Sequence, residues 1–379
     1  MIYHIYWGTA GNAGLYLDEI YQTLKRAGYK QKAFVNYYYP FEYGEKVFFK
    51  RTEMEHCKYK GILRKAIMGF ELLYGLTRVF VASLRDKPRV INYSYAGWGN
   101  GLIYLFLKLT RHFNKGNLVI TCHDVIPSVR SKKGYDKELR TKAKCYAIAD
   151  KLLVHNENSI DDLKKCFGVD RDKVLIHPFP IMDLSKLDKG SDYSSKQYDF
   201  LFIGHLRREK GVEILFESWP EFHKKCPKAT LCVAGNPAFY EEYIMSRKEI
   251  CDKCNIDLRL GFISDEDYIG IVKSANCVVF PYTAGTNSGV ISTVISLGRN
   301  VITSDIGMFA NNPLVPKENM FKAGDKEALI SLMKKVYHEA ISHNADVSWK
   351  CANDRIKIYR EDFDAKVVAV CSALTRIPS

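Results

Sequence analysis

The stretch DFLFIGHLRREKGVE, residues 199–213, decides the fold class. Residues 199–203 predict a buried strand, Gly204 ends it, and a helical pattern begins at Gly211. The loop between the two glycines contains Arg207, Arg208 and Lys210. Free N–H groups at a helix start, together with Arg and Lys, favour phosphate binding, although a solvated helix start with surface charges has the same pattern. The stretch therefore predicts a strand–loop–helix unit with a candidate anion site.

Predicted strands and helices alternate in this way along the whole chain. In the first half, strands are predicted at residues 2–6, 32–37, 90–93, 118–122, 151–155 and 174–177. Residues 183–198 (DLSKLDKGSDYSSKQY) are polar and predict a linker. Beyond it, strands are predicted at residues 200–204, 230–234, 257–260, 277–281 and 300–303. We therefore expect an α/β protein with two doubly wound, Rossmann-like domains that face a cleft, where ligands bind at the carboxyl ends of the strands.

Composition indicates an ordinary globular chain of 379 residues, with 47% hydrophobic and 26% charged residues. No apolar run reaches about 18 residues, so we predict no membrane-spanning helix. The first residues, MIYHIYWGTAGN, are typical of a first strand and not of a signal peptide. The 11 cysteines are scattered, with a single CxxC at Cys251 and Cys254. This pattern favours a reducing, cytoplasmic compartment and predicts no metal site.

The net positive charge of the chain lies entirely in its first half. Residues 1–180 carry 30 Lys and Arg against 17 Asp and Glu, whereas residues 181–379 carry 26 of each. Residues 56–89 place many of these cations among apolar and aromatic residues in a helical pattern. Such a helix can lie in a membrane interface, although a helix packed on the first sheet with snorkelling cations fits equally. We predict contact with the inner membrane surface and no nucleic-acid binding, because no recognisable module with interleaved aromatics is present.

Two motifs in the first half follow predicted strands. GTAGNAG, residues 8–14, could bring the backbone N–H groups of Gly11 and Asn12 to a phosphate or sugar, as could a plain tight turn. VITCHDVIPS, residues 119–128, places His123 at the end of a buried strand. There His123 could bind a substrate hydroxyl, act as a base, or be a satisfied structural histidine.

A second candidate anion site lies in residues 278–305. A strand leads into a loop of small polar residues, and Ser288 and Gly289 then begin a helix. Their backbone amides and the Ser288 hydroxyl could hold a phosphate. Two such sites in one domain, one of them with Arg and Lys, suit a diphosphate better than a single phosphate.

This ordered set of motifs resembles the GT-B fold glycosyltransferases of the group 1 type (family 4), which are retaining enzymes that use nucleotide sugars. IGHLRREKGVEIL, residues 203–215, resembles the family's phosphate-binding turn, and residues 144–181 resemble the segment that closes its first domain. Trp349 and the helix after it resemble the final helix, which crosses back to the first domain. The resemblance implies a first domain of residues 1–182 plus 362–379, the linker 183–198, and a donor-binding domain of residues 199–361.

The resemblance also implies residue roles. His123 would touch and position the transferred sugar, and Arg207 and Lys210 would neutralise the diphosphate leaving group. The implied donor-binding residues are Gly11, Asn12, Gly204, Gly235, Phe262, Ile263, Asn287, Ser288, Gly289, Val290 and Thr293. His205 stands where the family often has arginine, and Gly285 and Thr293 stand where it usually has two glutamates.

The expected function is therefore transfer of a hexose from a UDP- or GDP-sugar, as substrate, to a glycan acceptor, with no cofactor and no metal required. We expect a lipid-diphosphate-linked acceptor in bacterial surface polysaccharide biosynthesis, such as capsule, O-antigen or exopolysaccharide. The enzyme would be cytoplasmic and peripherally attached to the inner face of the membrane. The departures from the family pattern leave one alternative, a catalytically inactive relative that serves as a nucleotide-binding or scaffold subunit.

Overall fold

A computed structural model of the chain describes residues 1–8, 13–52, 57–94, 100–126, 132–182, 184, 197–237, 240–284, 289–341 and 345–376. The chain forms two compact units. The first unit is Met1–Pro180 together with Asp362–Ser379, and the second unit is Ile181–Glu361.

The first unit contains a parallel sheet of seven strands. The strands are β1 (Ile2–Tyr6), β2 (Gln31–Asn36), β3 (Gly44–Phe48), β4 (Val90–Ser94), β5 (Asn117–Thr121), β6 (Lys151–Val154) and β7 (Val174–Ile176). The helices are α1 (Ala13–Arg26), α2 (Gly61–Asp86), α3 (Asn100–Phe113), α4 (Lys132–Ile148) and α5 (Glu157–Phe167). The strand order is β3-β2-β1-β4-β5-β6-β7, so the direction of winding reverses between β1 and β4. This is the doubly wound arrangement predicted from the sequence.

The second unit contains a parallel sheet of six strands. The strands are β8 (Tyr198–Ile203), β9 (Leu231–Gly235), β10 (Ile256–Leu260), β11 (Ala275–Phe280), β12 (Asn300–Ser304) and β13 (Met320–Phe321). The helices that follow them are α6 (Val212–Lys225), α7 (Glu241–Met245), α8 (Lys248–Lys253), α9 (Asp265–Lys273), α10 (Gly289–Ser296), α11 (Gly307–Ala310), α12 (Lys326–Ile341) and α13 (Ala345–Thr375). The order β10-β9-β8-β11-β12-β13 reverses the winding between β8 and β11.

Strand β8 shows why these segments form central parallel strands. Phe200 and Phe202 pack into the core on one face of the sheet, and Leu201 and Ile203 pack into the core on the other. Side chains alternate along a strand, so a strand covered on both faces needs a continuous apolar run. The FLFI run of β8 meets that requirement, and the predicted α/β fold class is confirmed.

Four elements differ from the sequence-based prediction. One is β13, a strand of two residues at the edge of the second sheet, which was not predicted. β3 was not predicted, because Glu45 and Lys46 interrupt its apolar pattern, and both are exposed at the edge of the sheet. α13 is one continuous helix that begins at Ala345 and includes Trp349, which was predicted to precede it, while its residues from Asp362 onward belong to the first unit as predicted. α2 is long and apolar enough to cross a membrane by length and composition, which the prediction missed because charged residues interrupt its apolar run.

Candidate functional site

The positively charged loop between β8 and α6 is held against the chain that follows β11. The amides of Thr283 and Ala284 donate to the carbonyl of Glu209, over 3.0 and 3.3 Å. Gly211 permits this close approach, because its φ is +67° and a Cβ there would lie 1.6 Å from the carbonyl oxygen of Pro281. The loop therefore lies where the winding of the sheet reverses, which is the ligand-binding position of doubly wound sheets.

The three cations of this loop have different surroundings. The Lys210 ammonium lies 4.0 Å from the centroid of the buried Tyr282 ring. Arg207 is partly buried, with Nη1 3.7 Å from a carboxylate oxygen of Glu209, and its buried Nε has no hydrogen-bond partner among the described residues. Arg208 is 82% exposed and faces an acid of α6. Arg207 and Lys210 are thus held close to the loop, whereas Arg208 extends into solvent.

The pKa of His205 indicates the electrostatic potential in the same loop. Partial burial, and then the charges of Arg207 and Lys210, lower its pKa. Nearby positive charges lower the pKa of a histidine because they disfavour another positive charge. The carboxyl end of β8 is therefore a region of positive potential, which suits a diphosphate.

Glycines end three neighbouring strands of the second unit. Gly204, Gly235 and Gly261 lie at the ends of β8, β9 and β10, with φ of +131°, +139° and +132°. The Gly261 amide donates to the Gly235 carbonyl over 3.0 Å, and a Cβ at Gly235 would lie 1.8 Å from the Gly204 oxygen. The result is a row of backbone without side chains, which lets a ligand approach the main chain.

The residues predicted to contact the nucleoside differ in exposure. Phe262, after β10, is 76% exposed, and Ile263 is partly buried against the core. Thr293 is fully buried, where its hydroxyl donates to the Val290 carbonyl over 2.7 Å and lies 3.0 Å from the Tyr268 hydroxyl. Its single proton is therefore used inside the protein, and Thr293 could only accept from a ligand.

The second predicted anion site is described only in part. α10 begins at Gly289, and both Gly289 and Val290 are partly buried. Four predicted donor-binding residues lie outside the described residues: Gly11, Asn12, Asn287 and Ser288.

In the first unit, His123 belongs to a cluster of aromatic and histidine side chains. His123, His155 and His177 follow the neighbouring strands β5, β6 and β7, and Tyr16 of α1 packs against all three rings. The ring centroids of Tyr16 and His123 are 4.6 Å apart, at an interplanar angle of 86°. Phe179 packs against the His155 ring, with centroids 5.1 Å apart. The strands thus bring together side chains that are far apart in sequence.

The hydrogen bonds of this cluster assign the tautomer of His123. Nδ1 of His155 lies 3.4 Å from the His177 carbonyl oxygen, which can only accept, so this nitrogen carries the proton. In a neutral His155, Nε2 must then accept, and it lies 3.3 Å from Nδ1 of His123. His123 therefore carries its proton on Nδ1, and its Nε2 holds a lone pair.

Burial keeps the three imidazoles neutral. It lowers the pKa of His123 and of His177 to about 4, and it lowers that of His155 well below the usual range, with the two other histidines adding to the effect. A general base works best when its pKa lies near the working pH. The arrangement therefore makes His123 a hydrogen-bond acceptor and a weak base at neutral pH.

Sequence reasoning missed His155, His177 and Tyr282. A signal was present for the two histidines, because each ends a predicted strand just as His123 does. Their proximity depends on the order β5-β6-β7, which no local pattern contains. Among the described residues, no group of three or more His, Cys, Asp or Glu is arranged to hold a metal ion.

Comparison with known proteins finds a family whose model matches part of the chain. Residues 197–339 match the family described as Glycosyl transferases group 1. An uncharacterized glycosyltransferase of Methanocaldococcus jannaschii is 24% identical over 258 residues, which are 57% of this chain and 62% of that protein. A GDP-mannose:glycolipid 4-beta-D-mannosyltransferase of Xanthomonas campestris is 28% identical over 102 residues, 27% of this chain and 29% of that protein. The chain thus spans less than two thirds of both curated relatives.

Solved structures extend the similarity to the whole chain at the level of fold. Anabaena HepE in complex with UDP matches with a TM-score of 0.62 and 12% identity, over 100% of both chains. The same protein in complex with UDP-glucose matches with a TM-score of 0.60 and 13% identity, over 99% of this chain and 98% of that one. Residues 197–339 are therefore similar to the family Glycosyl transferases group 1, and the chain as a whole has the GT-B fold.

Proposed function

We propose that the protein transfers a sugar from a UDP- or GDP-sugar to a glycan acceptor. The observation that carries this proposal is the loop after β8, where Arg207 and Lys210 are held together at the reversal of the sheet beside backbone without side chains. The solved complexes of the Anabaena protein contain UDP and UDP-glucose, which supports a nucleotide-sugar donor. The name of the Xanthomonas relative supports GDP-mannose as a second donor to test.

Departure of the nucleoside diphosphate is the chemical step that these residues assist. The bond from the sugar anomeric carbon to the diphosphate oxygen breaks, and Arg207 and Lys210 stabilise the negative charge that develops on that oxygen. Loss of both cations should raise the barrier by about 3 kcal/mol or more. The acceptor hydroxyl attacks the anomeric carbon, and its proton passes to the leaving diphosphate. We propose that configuration is retained, as the resemblance implies.

His123 would position the transferred sugar through the lone pair on Nε2, which can accept a hydrogen bond from a sugar hydroxyl. The low pKa of His123, about 4, supports positioning over proton abstraction as its role. No metal ion is needed in this scheme, because the cations and main-chain amides stabilise the leaving charge.

For the acceptor we propose a lipid-diphosphate-linked saccharide of bacterial surface polysaccharide biosynthesis. The Xanthomonas relative is named for transfer to a glycolipid, which supports an acceptor of this class. The excess of Lys and Arg in residues 1–180 supports an anionic, lipid-bound partner for the first half of the chain. The protein would then work in the cytoplasm, attached peripherally to the inner face of the membrane.

The donor site is tested by thermal unfolding with UDP, GDP, ADP or CMP in the presence of EDTA. A ligand at about 100 times its dissociation constant adds about 2.7 kcal/mol to stability. We expect one nucleoside diphosphate to raise the Tm of the wild type but not that of the double variant Arg207→Ala, Lys210→Ala. The matched control is Arg208→Ala, which removes an exposed cation of the same loop and should keep the shift.

Activity is then tested with the matching nucleotide sugar and a lipid-linked saccharide, and the anomeric configuration of the product decides between retention and inversion. If no nucleotide stabilises the wild type, the donor site is wrongly assigned. If a nucleotide binds but neither transfer nor donor hydrolysis occurs, the protein is the inactive nucleotide-binding relative.

A further inference from the structure

Helix α2 presents an apolar stripe to solvent. Seven large hydrophobic side chains on α2 are at least 40% exposed: Ile62, Leu63, Phe70, Leu73, Tyr74, Val81 and Leu84. At about 100° per residue, all seven fall within about 120° of the helix circumference. Ile62 is 87% exposed and Phe70 is 70% exposed. A continuous apolar stripe of this kind on a water-soluble surface indicates a binding surface.

The opposite side of α2 belongs to the core of the first unit. Its buried residues are Leu72, Gly75, Leu76, Val79 and Ser83. Gly75 lies against the ring of Phe48 so closely that a Cβ there would be 2.3 Å from it. Because one side is packed in this way, α2 lies on the first unit and presents its apolar stripe outward, although its length and composition would allow it to cross a membrane.

Cations border one edge of the stripe. Arg85, Arg78 and Arg64 follow the stripe at about 140°, 160° and 200° around the helix, and Lys60 precedes the helix on the same side. Arg78 lies 3.9 Å from Glu45, an exposed pair that is weak in water, and Arg85 pairs with Asp86.

The two acids of α2 lie at about 180° and 240° around the helix, with Glu71 between Arg78 and Arg64, and both carboxylates are bonded to groups of the first unit. The Glu71 carboxylate accepts from the amide of Arg51 and the hydroxyl of Thr52. The Asp86 carboxylate accepts from Tyr3 of the sheet, over 2.6 Å, and pairs with Lys32. The edge of the apolar stripe is therefore positively charged.

Helix α3 extends the same surface. The ring of Phe80 on α2 packs against that of Phe113 on α3, with centroids 5.8 Å apart. Phe113 is 57% exposed and Leu105 is 49% exposed. The exposed cation Lys108 lies one turn from Leu105 on α3.

From these contacts we infer that α2 and the exposed face of α3 form one docking surface for a bilayer that contains anionic lipids. The apolar stripe would enter the boundary between headgroups and acyl chains, with α2 in the plane of the membrane, while Lys60, Arg78 and Arg85 contact lipid phosphates. Arg64 donates to the Thr52 carbonyl and adds positive charge at the same edge. Apolar area and a cationic border are both needed for such binding, and one helix supplies both. The inference deepens the proposed function, on whose lipid-linked acceptor it rests, by naming the surface that brings the protein to its acceptor.

The test is flotation of the full-length protein with phosphatidylcholine vesicles, with and without phosphatidylglycerol. We expect binding to the anionic vesicles that weakens as salt is raised. Phe70→Gln with Val81→Gln should weaken binding at least tenfold, because both apolar side chains leave the interface. Lys60→Gln with Arg78→Gln should weaken it about thirtyfold, since each cation near an anionic surface contributes about 1 kcal/mol.

Two control variants outside the surface match these changes. Ile358→Asn replaces an apolar side chain that is 65% exposed on α13, and Lys253→Gln removes an exposed cation of α8. Both should bind vesicles like the wild type. All variants change exposed side chains, so each should keep the Tm and the nucleotide-induced stabilisation of the wild type.

The inference is overturned if the wild type does not bind anionic vesicles, or if the surface variants bind as well as the controls. A concentration-dependent dimer that Phe70→Gln with Val81→Gln disperses, without vesicle binding, would show that a second copy of the chain covers the stripe. Vesicle binding needs no catalysis. Failure here, with nucleotide stabilisation intact, therefore leaves the donor assignment standing, and the reverse result leaves the membrane surface standing.

Discussion

Acidification should destabilise the first unit well before the second. His4 is 3% exposed and His177 is 2% exposed, and burial lowers the pKa of each to about 4 from 6.5. Below pH 6.5 the unfolded chain binds protons at these positions, whereas the folded chain does not until about pH 4. Because the unfolded state then binds more protons, the free energy of unfolding falls as the pH falls through this window.

The size of the effect follows from the two pKa values. For one histidine with a pKa of about 4 folded and about 6.5 unfolded, lowering the pH from 8 to 5 removes about 2 kcal/mol of stability. His4 and His177 together remove about 4 kcal/mol, and the buried His155 acts in the same direction. A total stability of about 5–15 kcal/mol is typical of a domain, so the loss is a large share.

The measurement is native-state hydrogen exchange at pH 8 and pH 5, read from peptides of β1 and β5 for the first unit and of β8 and β11 for the second. Exchange rates must be corrected for the intrinsic effect of pH. His4→Gln should remove about 2 kcal/mol of the pH effect in the first unit, and His112→Gln, at an exposed position of α3, should leave it unchanged. Equal losses in both units, or a loss under about 1 kcal/mol in the first, would refute the reasoning.

Three further outcomes are expected. Gly235→Ala should destabilise the second unit by about 2 kcal/mol or more, because its Cβ would meet the backbone 1.8 Å away, and Gly261→Ala, with a similar φ but open space, should cost less in thermal unfolding. His155→Phe keeps a ring but removes the acceptor for His123, so kcat/KM should fall about fivefold with nucleotide affinity unchanged. Phe363→Ala should remove about 3–5 kcal/mol from the first unit, measured by urea unfolding, because this ring is 4% exposed.

Strands that are buried on both faces were predictable from the sequence. The run IYHIY of β1, apolar except for His4, identifies Ile2–Tyr6 with the same bounds in prediction and structure. β3 escaped prediction because an edge strand has one side open to solvent, where Glu45 and Lys46 are tolerated. Local pattern therefore identified every central strand of the two sheets but only two of the four edge strands, β7 and β10.

A loop of the site was predictable where charged residues and the glycines that shape the loop lie within a few consecutive positions. Arg207 and Lys210 stand between two glycines, so the sequence alone marks their loop as a candidate anion site. The contact of Lys210 with Tyr282 was not predictable, because it depends on β8 and β11 being neighbours. The hydrogen bond between His123 and His155 was not predictable either, because it depends on β5 and β6 being neighbours.

The position of the end of α13 has a consequence for folding during translation. Val367, Cys371 and Leu374 are buried, and they belong to the first unit although they are synthesised after the second unit. Domains generally fold in the order in which they emerge during translation. The second unit can form its core as soon as it has been synthesised. The first unit is synthesised earlier, but it lacks the end of α13 until later. We therefore expect the nascent chain to contain a folded second unit and an incomplete first unit until residues 362–375 of α13 have emerged, and the incomplete first unit is the part that chaperones must protect.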